Sequence, residues 1–363
     1  MPADRTATQA NTPSNLGGHA PTRLPAVTVD TYNAELRDPE GFVGDRASKR
    51  AFQAILDDWR DLARHAGEDP FGEEPSEKLP KKKIEQALTK GDPEAAAVVH
   101  SAIEEFAQEL ATVIRRFLRL KAWRDTQRIV VGGGLRAGRM GELAISRAGI
   151  LLRAETSHDI ALTPIRHHPD EAGLIGAVHL SPAWIFRGHD AILAVDIGGT
   201  NIRCGIVELR LRQAEDLSEA RVAAFDLWRH RDEKPTREDA VTRLGGMLEE
   251  LIRRAEREGR RLAPFVGIGC PGLIEPDGSI DRGSQNLPGN WASADFHLPG
   301  RIQAMLPEID GHEPMVLMHN DAVVQGLSEV PFQTDVERWG VLTIGTGLGN
   351  ARFTNRKRGA DED

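Results

Sequence analysis

The chain has 363 residues, 40% of them hydrophobic and 28% charged, with a formal net charge of -9. That length is about twice one ordinary domain, so two lobes with separate cores and a cleft between them are expected. The composition excludes the disordered and membrane classes, and no dense basic patch is present to take nucleic acid as the main partner.

Residues 1–24 and the closing RKRGADED (356–363) read as disordered tails, too polar to bury the surface that ordering requires. From Asp45, a candidate cap, Ala51, Ile55, Trp59 and Leu62 recur at helical spacing until GEDPFGEEPSEKLP (67–80) interrupts the pattern. Lys81 to Lys83, the one basic cluster, read as a solvated surface segment ahead of another helical pattern. Asp92 as cap and Pro93 in the first turn open a longer helix, whose apolar face is Val99, Ile103, Phe106, Leu110, Val113 and Phe117. RIVVGGGL (128–135) is a short strand running into three glycines, and DEAGLIGAVHL (170–180) is a helix of small residues. AILAVDIGGTNIRCGIVEL (191–209) reads as two buried strands around a Gly-Gly turn, followed by a capped amphipathic helix from Thr236 to Ala255. PFVGIGCPGLI (264–274) and PMVLMHND (314–321) are further strands, and WGVLTIGTGLGNARF (339–353) is again strand, glycine turn, strand. Strands alternate with helices, and glycines and polar residues gather at the strand ends, so an α/β fold with its site at those ends is expected.

Cys204 and Cys270 are the only cysteines, both inside apolar strand-like runs, which excludes a disulfide framework and a four-cysteine zinc site and points to a reducing compartment. No apolar run reaches the roughly 20 residues of a spanning helix, and the first 23 residues lack a signal peptide's apolar core. A cytoplasmic protein without a membrane partner is therefore expected.

Two glycine turns carry the chemistry. Asp196 closes the strand ILAVD and is followed by Ile197, Gly198, Gly199, Thr200 and Asn201. Such a turn aims backbone N–H groups at a phosphate, Thr200 adds a hydroxyl, and Asp196 could hold Mg2+ directly or through water. Gly345, Thr346, Gly347, Leu348 and Gly349 form a second turn of the same kind. GxxxxGK[ST] is absent, so this is not a P-loop protein, and no GxGxxG follows a first strand.

DIGGTN (196–201) resembles the first phosphate motif of the ROK family of sugar kinases, and IGTGLG (344–349) resembles their second. GIGCPGLIEPDGSIDRGSQNLPGNW (267–291) is similar to the family's sugar-binding stretch, and MHNDAVVQGLSE (318–329) to its catalytic connecting helix. IVVGGGL (129–135) resembles the adenosine motif, and DEAGLIGA (170–177) the second connecting helix. The resemblance implies a two-lobed actin-like ATPase (ribonuclease H-like) fold, with residues 25–170 and 319–355 in a larger nucleotide-binding lobe and 171–318 in a smaller one. It implies Asp321 as general base, with Asn286 and Gly289 of NLPG and Asn320 on the sugar. Gly132, Gly133 and Gly134 would lie against adenosine, and ATP with Mg2+ would be the donor of a phosphoryl group to a hexose or N-acetylhexosamine. A helix N-cap is the alternative role for Asp321, and a surface ion pair the alternative to phosphate contact for Arg203. The resemblance also suggests a homodimer.

In the family the adenosine motif and second connecting helix follow the second phosphate motif; here they precede the first, which reads as a circular permutation. The family's Glu, its Gly-His pair and its cysteine-rich zinc loop fall where the cycle is cut. No structural zinc is expected, and Leu16, Gly17, Gly18 and His19 are the candidate remnant of the Gly-His element. The rival functions are a sugar-responsive regulator, against which stands the lack of a basic recognition helix before residue 90, a sugar-binding protein without catalysis, and a kinase that uses polyphosphate.

Overall fold

The computed structural model describes residues 18–356 apart from 91 and 156–159. In chain order it runs β1 (Val27–Tyr32), β2 (Arg37–Asp38), β3 (Gly41–Phe42), α1 (Lys49–Ala66), α2 (Lys81–Thr89), α3 (Pro93–Leu118), β4 (Arg128–Gly132), α4 (Arg139–Glu155), β5 (Ala161–Pro164) and α5 (Pro169–Gly176). Then come β6 (Ala191–Ile197), β7 (Ile202–Glu208), β8 (Arg221–Trp228), α6 (His230–Glu233), α7 (Arg237–Arg257), β9 (Leu262–Cys270), β10 (Leu273–Ile274) and β11 (Ile280–Arg282). The chain closes with α8 (Leu298–Met305), β12 (Met315–Asn320), α9 (Asp321–Leu327), β13 (Arg338–Ile344) and β14 (Leu348–Asn355).

Two five-stranded sheets organise the molecule, ordered β1-β14-β13-β4-β5 and β8-β7-β6-β9-β12. In each, a glycine-turn hairpin (β13–β14 or β6–β7) pairs with a third antiparallel strand on one side and two parallel strands on the other. The two sheets are topological copies. In the second, all strands follow the order hairpin, third antiparallel strand, parallel strands. In the first, the third antiparallel strand is β1, far ahead of its hairpin in sequence, and Val27 lies opposite Asn355.

Apolar side chains form three layers. One packs α1 to α4 on the first sheet around Phe106, Phe117 and Trp123; another packs α7 and α8 on the second around Leu244, Leu248 and Trp291. The third lies between the sheets, where α5 and α9 bring Leu174, Val323 and Leu327 against Phe265 and Phe353. The two helices approach so closely that a Cβ on Gly176 would lie 1.7 Å from the Val324 carbonyl oxygen, which explains the small residues of that segment.

Local signals hold for α3, whose Asp92 accepts from the Glu94 N–H and whose predicted face is fully buried, and for α7, closed by a Thr236–Asp239 capping box. They shift at α1. Ser48, not Asp45, caps it, because Val43–Ala47 is a separate 3-10 turn. Its inward stripe is Phe52, Ile55, Leu56 and Arg60, while Leu62 is 59% exposed. Arg60 is fully buried and bonds Asp69, the Ser76 hydroxyl and the Gly72 and Glu74 carbonyls, so 67–80 wraps one guanidinium rather than hanging as a linker. Residues 18–24, which composition assigns to a tail, are also held: the N–H groups of His19 and Ala20 donate to Pro276 and Met318, and Leu24 is buried. The predicted tails 1–17 and 357–363 lie outside the described residues.

Candidate active site

The two hairpin turns face each other. Each is tightened by a backbone bond, Gly198 N–H to Asn201 O at 2.8 Å and Gly345 N–H to Gly347 O at 2.9 Å. Across the gap the Thr200 and Thr346 hydroxyls are 3.0 Å apart, so turns from different sheets bring their hydroxyls to one point. His230, in the short α6, holds the first turn by an N–H to the Gly198 carbonyl at 2.8 Å. The Asn201 Oδ1 is buried with no hydrogen-bond partner, a polar atom left for something the chain does not supply.

Beneath the first turn, Asp196 is the penultimate residue of β6, with 5% of its surface exposed. Antiparallel register sets Arg203 opposite it, and Arg203 reaches Asp196 Oδ2 at 3.0 Å and Asp170 Oδ1 at 2.6 Å. The guanidinium therefore ties the first hairpin to α5. Burial raises the Asp196 pKa, Arg203 opposes that, and the Asp170 charge adds to it. Gly173 is required here, since its Cβ would come within 2.6 Å of the Asp196 carboxyl carbon. Asp196 Oδ1 makes no hydrogen bond among the described residues. A carboxylate oxygen beside a phosphate is a donor Mg2+ accepts, and Asp196 offers one; among the described residues, here or elsewhere, no group of three or more His, Cys, Asp or Glu gathers that could hold a metal by itself.

Asp321 is the first residue of α9, placed where β12 ends. The cap of that helix is Asn320, whose Oδ1 accepts from Ala322 and Val323 while its Nδ2 donates to Gly272 O at 2.9 Å. Capping thus falls to Asn320 rather than to Asp321, and the Asn320 amide, 2% exposed, is taken up internally. The Asp321 carboxyl is half-buried, with its pKa raised to about 7, first by burial and then by the charge of Asp196.

The other expected residues gather in part. Asn286 is exposed, and a Cβ on Gly199 would lie 2.9 Å from its Cβ, so NLPG abuts the first turn. Gly289 sits further off at φ +73°, turning the chain against Arg237. Gly132, opposite Thr343 in parallel register, leads into Gly133, whose φ of +84° and approach to the Ile344 backbone admit no side chain. Gly134 is exposed at the cleft mouth, and its carbonyl accepts from Lys81 Nζ at 3.1 Å.

His19 docks on the sugar-like stretch, its Nδ1 accepting from Met318 N–H at 3.2 Å and its ring against Gly278. Burial, helped by His297, lowers its pKa to about 4. Leu16 and Gly17 lie outside the described residues. Sequence reasoning missed His230, Asp170 and Lys81. His230 carries no motif; Asp170 opens DEAGLIGA without itself being read as a site residue, and Lys81 was legible only as charge.

The sequence profile of the ROK family matches residues 40–183 and 192–359, most of the chain. This protein is a member of the ROK family. Its two sheets are those of the family's actin-like ATPase fold, and membership supports a sugar kinase at the level of the family, which also includes non-enzymes. A solved structure that the ROK chain resembles is Lmo2764 of Listeria monocytogenes, provisionally named an N-acetylmannosamine kinase, at 23% identity and a TM-score of 0.32. That likeness covers 46% of this chain and 47% of the other, so this chain spans about half the length of the relative. No curated protein matches. Among the described residues no helix of this ROK protein is long and apolar enough to cross a membrane.

Proposed function

We propose that this ROK protein transfers the γ-phosphoryl group of ATP to a hydroxyl of a hexose or N-acetylhexosamine. The observation that carries the reading is the meeting of two glycine hairpins at Thr200 and Thr346 beside a carboxyl at Asp321 whose pKa is raised to about 7. Backbone N–H groups of Gly198 to Asn201 and Gly345 to Gly347 hold the phosphates, with the two threonine hydroxyls between them. Asp196 would hold Mg2+ arriving with the donor, and the ion would supply neutralising charge. Asp321 takes the proton of the attacking hydroxyl, and a base whose pKa sits near the working pH suits that step. Asn286 and the docked His19 lie along the sugar's side of the cleft, and Gly132 to Gly134 along the adenosine's. Little covalent chemistry falls to the chain, so positioning and charge provide most of the rate.

We further propose that the fold is circularly permuted. The support is topological: only the first sheet has its third antiparallel strand displaced to the other end of the sequence, and its start, Val27, already lies beside the end of β14. Joining Asn355 to Val27 would give both sheets one strand order. Residues 25–170 with 319–355, against 171–318, is the lobe division this reading carries, with β12 on the second sheet as the point where the chain crosses back.

The test is coupled release of ADP from Mg-ATP over a panel of hexoses and N-acetylhexosamines, with Asp321→Asn alongside. Sugar-dependent turnover lost in the variant is the expected result. ADP release that is indifferent to every sugar, or unchanged in the variant, would sink the reading.

A further inference from the structure

Two helices of the first lobe break the usual rule of helix charge. The first turns of α3, α4, α5 and α7 carry acids: Glu94, Glu142, Asp170 with Glu171, and Glu238 with Asp239. That is the arrangement the positive end of a helix favours. α1 begins with Lys49 and Arg50, α2 with Lys81, Lys82 and Lys83, and neither has an acid in its first turn. α2 also lacks a side-chain cap, since Pro80 precedes it. Cations set against a helix dipole are unfavourable, and local rules are broken this way most often at functional sites.

Both helix starts lie against the nucleotide side of the candidate cleft. The Lys49 N–H donates to the Gly345 carbonyl at 2.9 Å, which puts α1 on the second hairpin turn. Lys81 Nζ donates to the Gly134 carbonyl at 3.1 Å, which puts α2 on the glycines after β4. Arg136 follows those glycines, and its Nε is buried without a hydrogen-bond partner. Lys49, Lys81 and Arg136 thus come together from three elements, near enough for Lys49 and Arg136 to act on the Lys81 charge, in a crevice at the carboxyl ends of the parallel strands β4 and β13, where open α/β sheets take their ligands. None of the three forms an ion pair within 4.0 Å among the described residues. Burial lowers the Lys81 pKa, with Lys49 and Arg136 adding to it against the pull of the Glu85 and Asp170 carboxylates. An anion in the crevice would relieve all of this at once.

We infer that Lys49, Lys81 and Arg136 form a cationic rim that binds the phosphate chain of the phosphoryl donor outside the two glycine hairpins. The inference rests on the kinase reading above and adds to it three side chains that no phosphate motif contains. The ligand chemistry is a linear phosphate chain, whether of a nucleotide or of inorganic polyphosphate.

Calorimetric titration of the full chain with ADP, tripolyphosphate and adenosine tests it, using Lys81→Gln, Lys81→Arg, the exposed Lys49→Gln, and Lys82→Gln as a control. Loss of a hydrogen bond to a charged group weakens binding roughly ten- to a hundredfold. Lys81→Gln and Lys49→Gln are expected to weaken ADP and tripolyphosphate by at least the lower figure, more at low salt, and to leave adenosine unchanged. Lys81→Arg should retain affinity and Lys82→Gln should match the wild type. Losses confined to ADP assign the rim to nucleotide phosphates; losses shared by tripolyphosphate assign it to phosphate chains in general. Wild-type binding of ADP that neither Lys81→Gln nor Lys49→Gln weakens, or that Lys82→Gln weakens equally, overturns the rim and leaves the kinase reading standing. A wild-type chain that binds neither ADP nor tripolyphosphate overturns both.

Discussion

Replacing Asp321 by Asn should remove activity and stabilise the protein, and the stability gain should grow with pH. The carboxyl titrates at about 7 in the folded chain against 3.8 for an unperturbed group. Its folded pKa is the higher one, so the folded state keeps its proton longer as pH rises, and stability falls between pH 3.8 and 7. At about 1.36 kcal/mol per unit, the cost is about 2 kcal/mol at pH 5 and about 4 kcal/mol at pH 8. These are upper figures, because Asp196 shares the titration. Asn keeps the shape without the charge and escapes the cost. For a chain of this size each kcal/mol moves Tm by roughly 1–2 °C, so thermal unfolding should show a gain at pH 8 about two and a half times that at pH 5. Sugar-dependent turnover should fall by about 10²–10⁴ in the same variant. A gain that is flat with pH, or a loss of stability at pH 8, would refute the claim that burial and Asp196 raise this carboxyl.

Two further perturbations probe the frame around that base. Arg203→Met leaves Asp196 buried beside Asp170 without its partner, which should cost about 3 kcal/mol; unfolding at pH 8 should be hurt more than at pH 5, where the carboxyl can protonate, and Arg203→Lys should recover part of the loss. Gly133→Ala sets a Cβ within 2.4–2.5 Å of the Ile344 backbone at a φ of +84°; calorimetry should show weaker ADP binding with sugar binding kept, at a stability cost of more than about 1 kcal/mol.

The glycine turns were legible because their geometry leaves so few residue choices. Asp196, Thr200, Thr346 and Asp321 lie where strand ends and turns place them, and local order suffices to find such positions. What the sequence hid depends on distant partners. The α1 stripe shifted because Arg60, which hydropathy assigns to the surface, is buried by carbonyls from residues 72 and 74. His19 was readable as a candidate remnant, but its polar surroundings hid that it is held in place, with Pro276 and Met318 fixing its backbone neighbourhood from the far lobe. Lys81 was visible only as charge, since nothing before residue 90 announces that Gly134 will lie beside it. Asn320 took the capping role that Asp321 could have filled, a choice between adjacent residues that side-chain geometry alone decides.

The displaced strand has a consequence for how the protein is made. On a ribosome, β1, β4 and β5 emerge early; β4 and β5 can pair, yet β1 cannot join them, because the hairpin that lies between is translated last. The second sheet has all of its strands before that hairpin appears and can form first. Edges of β4 and of β1 stay unpaired meanwhile, and such edges invite wrong partners. Assembly should therefore end, not begin, with the N-terminal segment, and the last step of folding should be the one that brings the second phosphate turn and the adenosine glycines together.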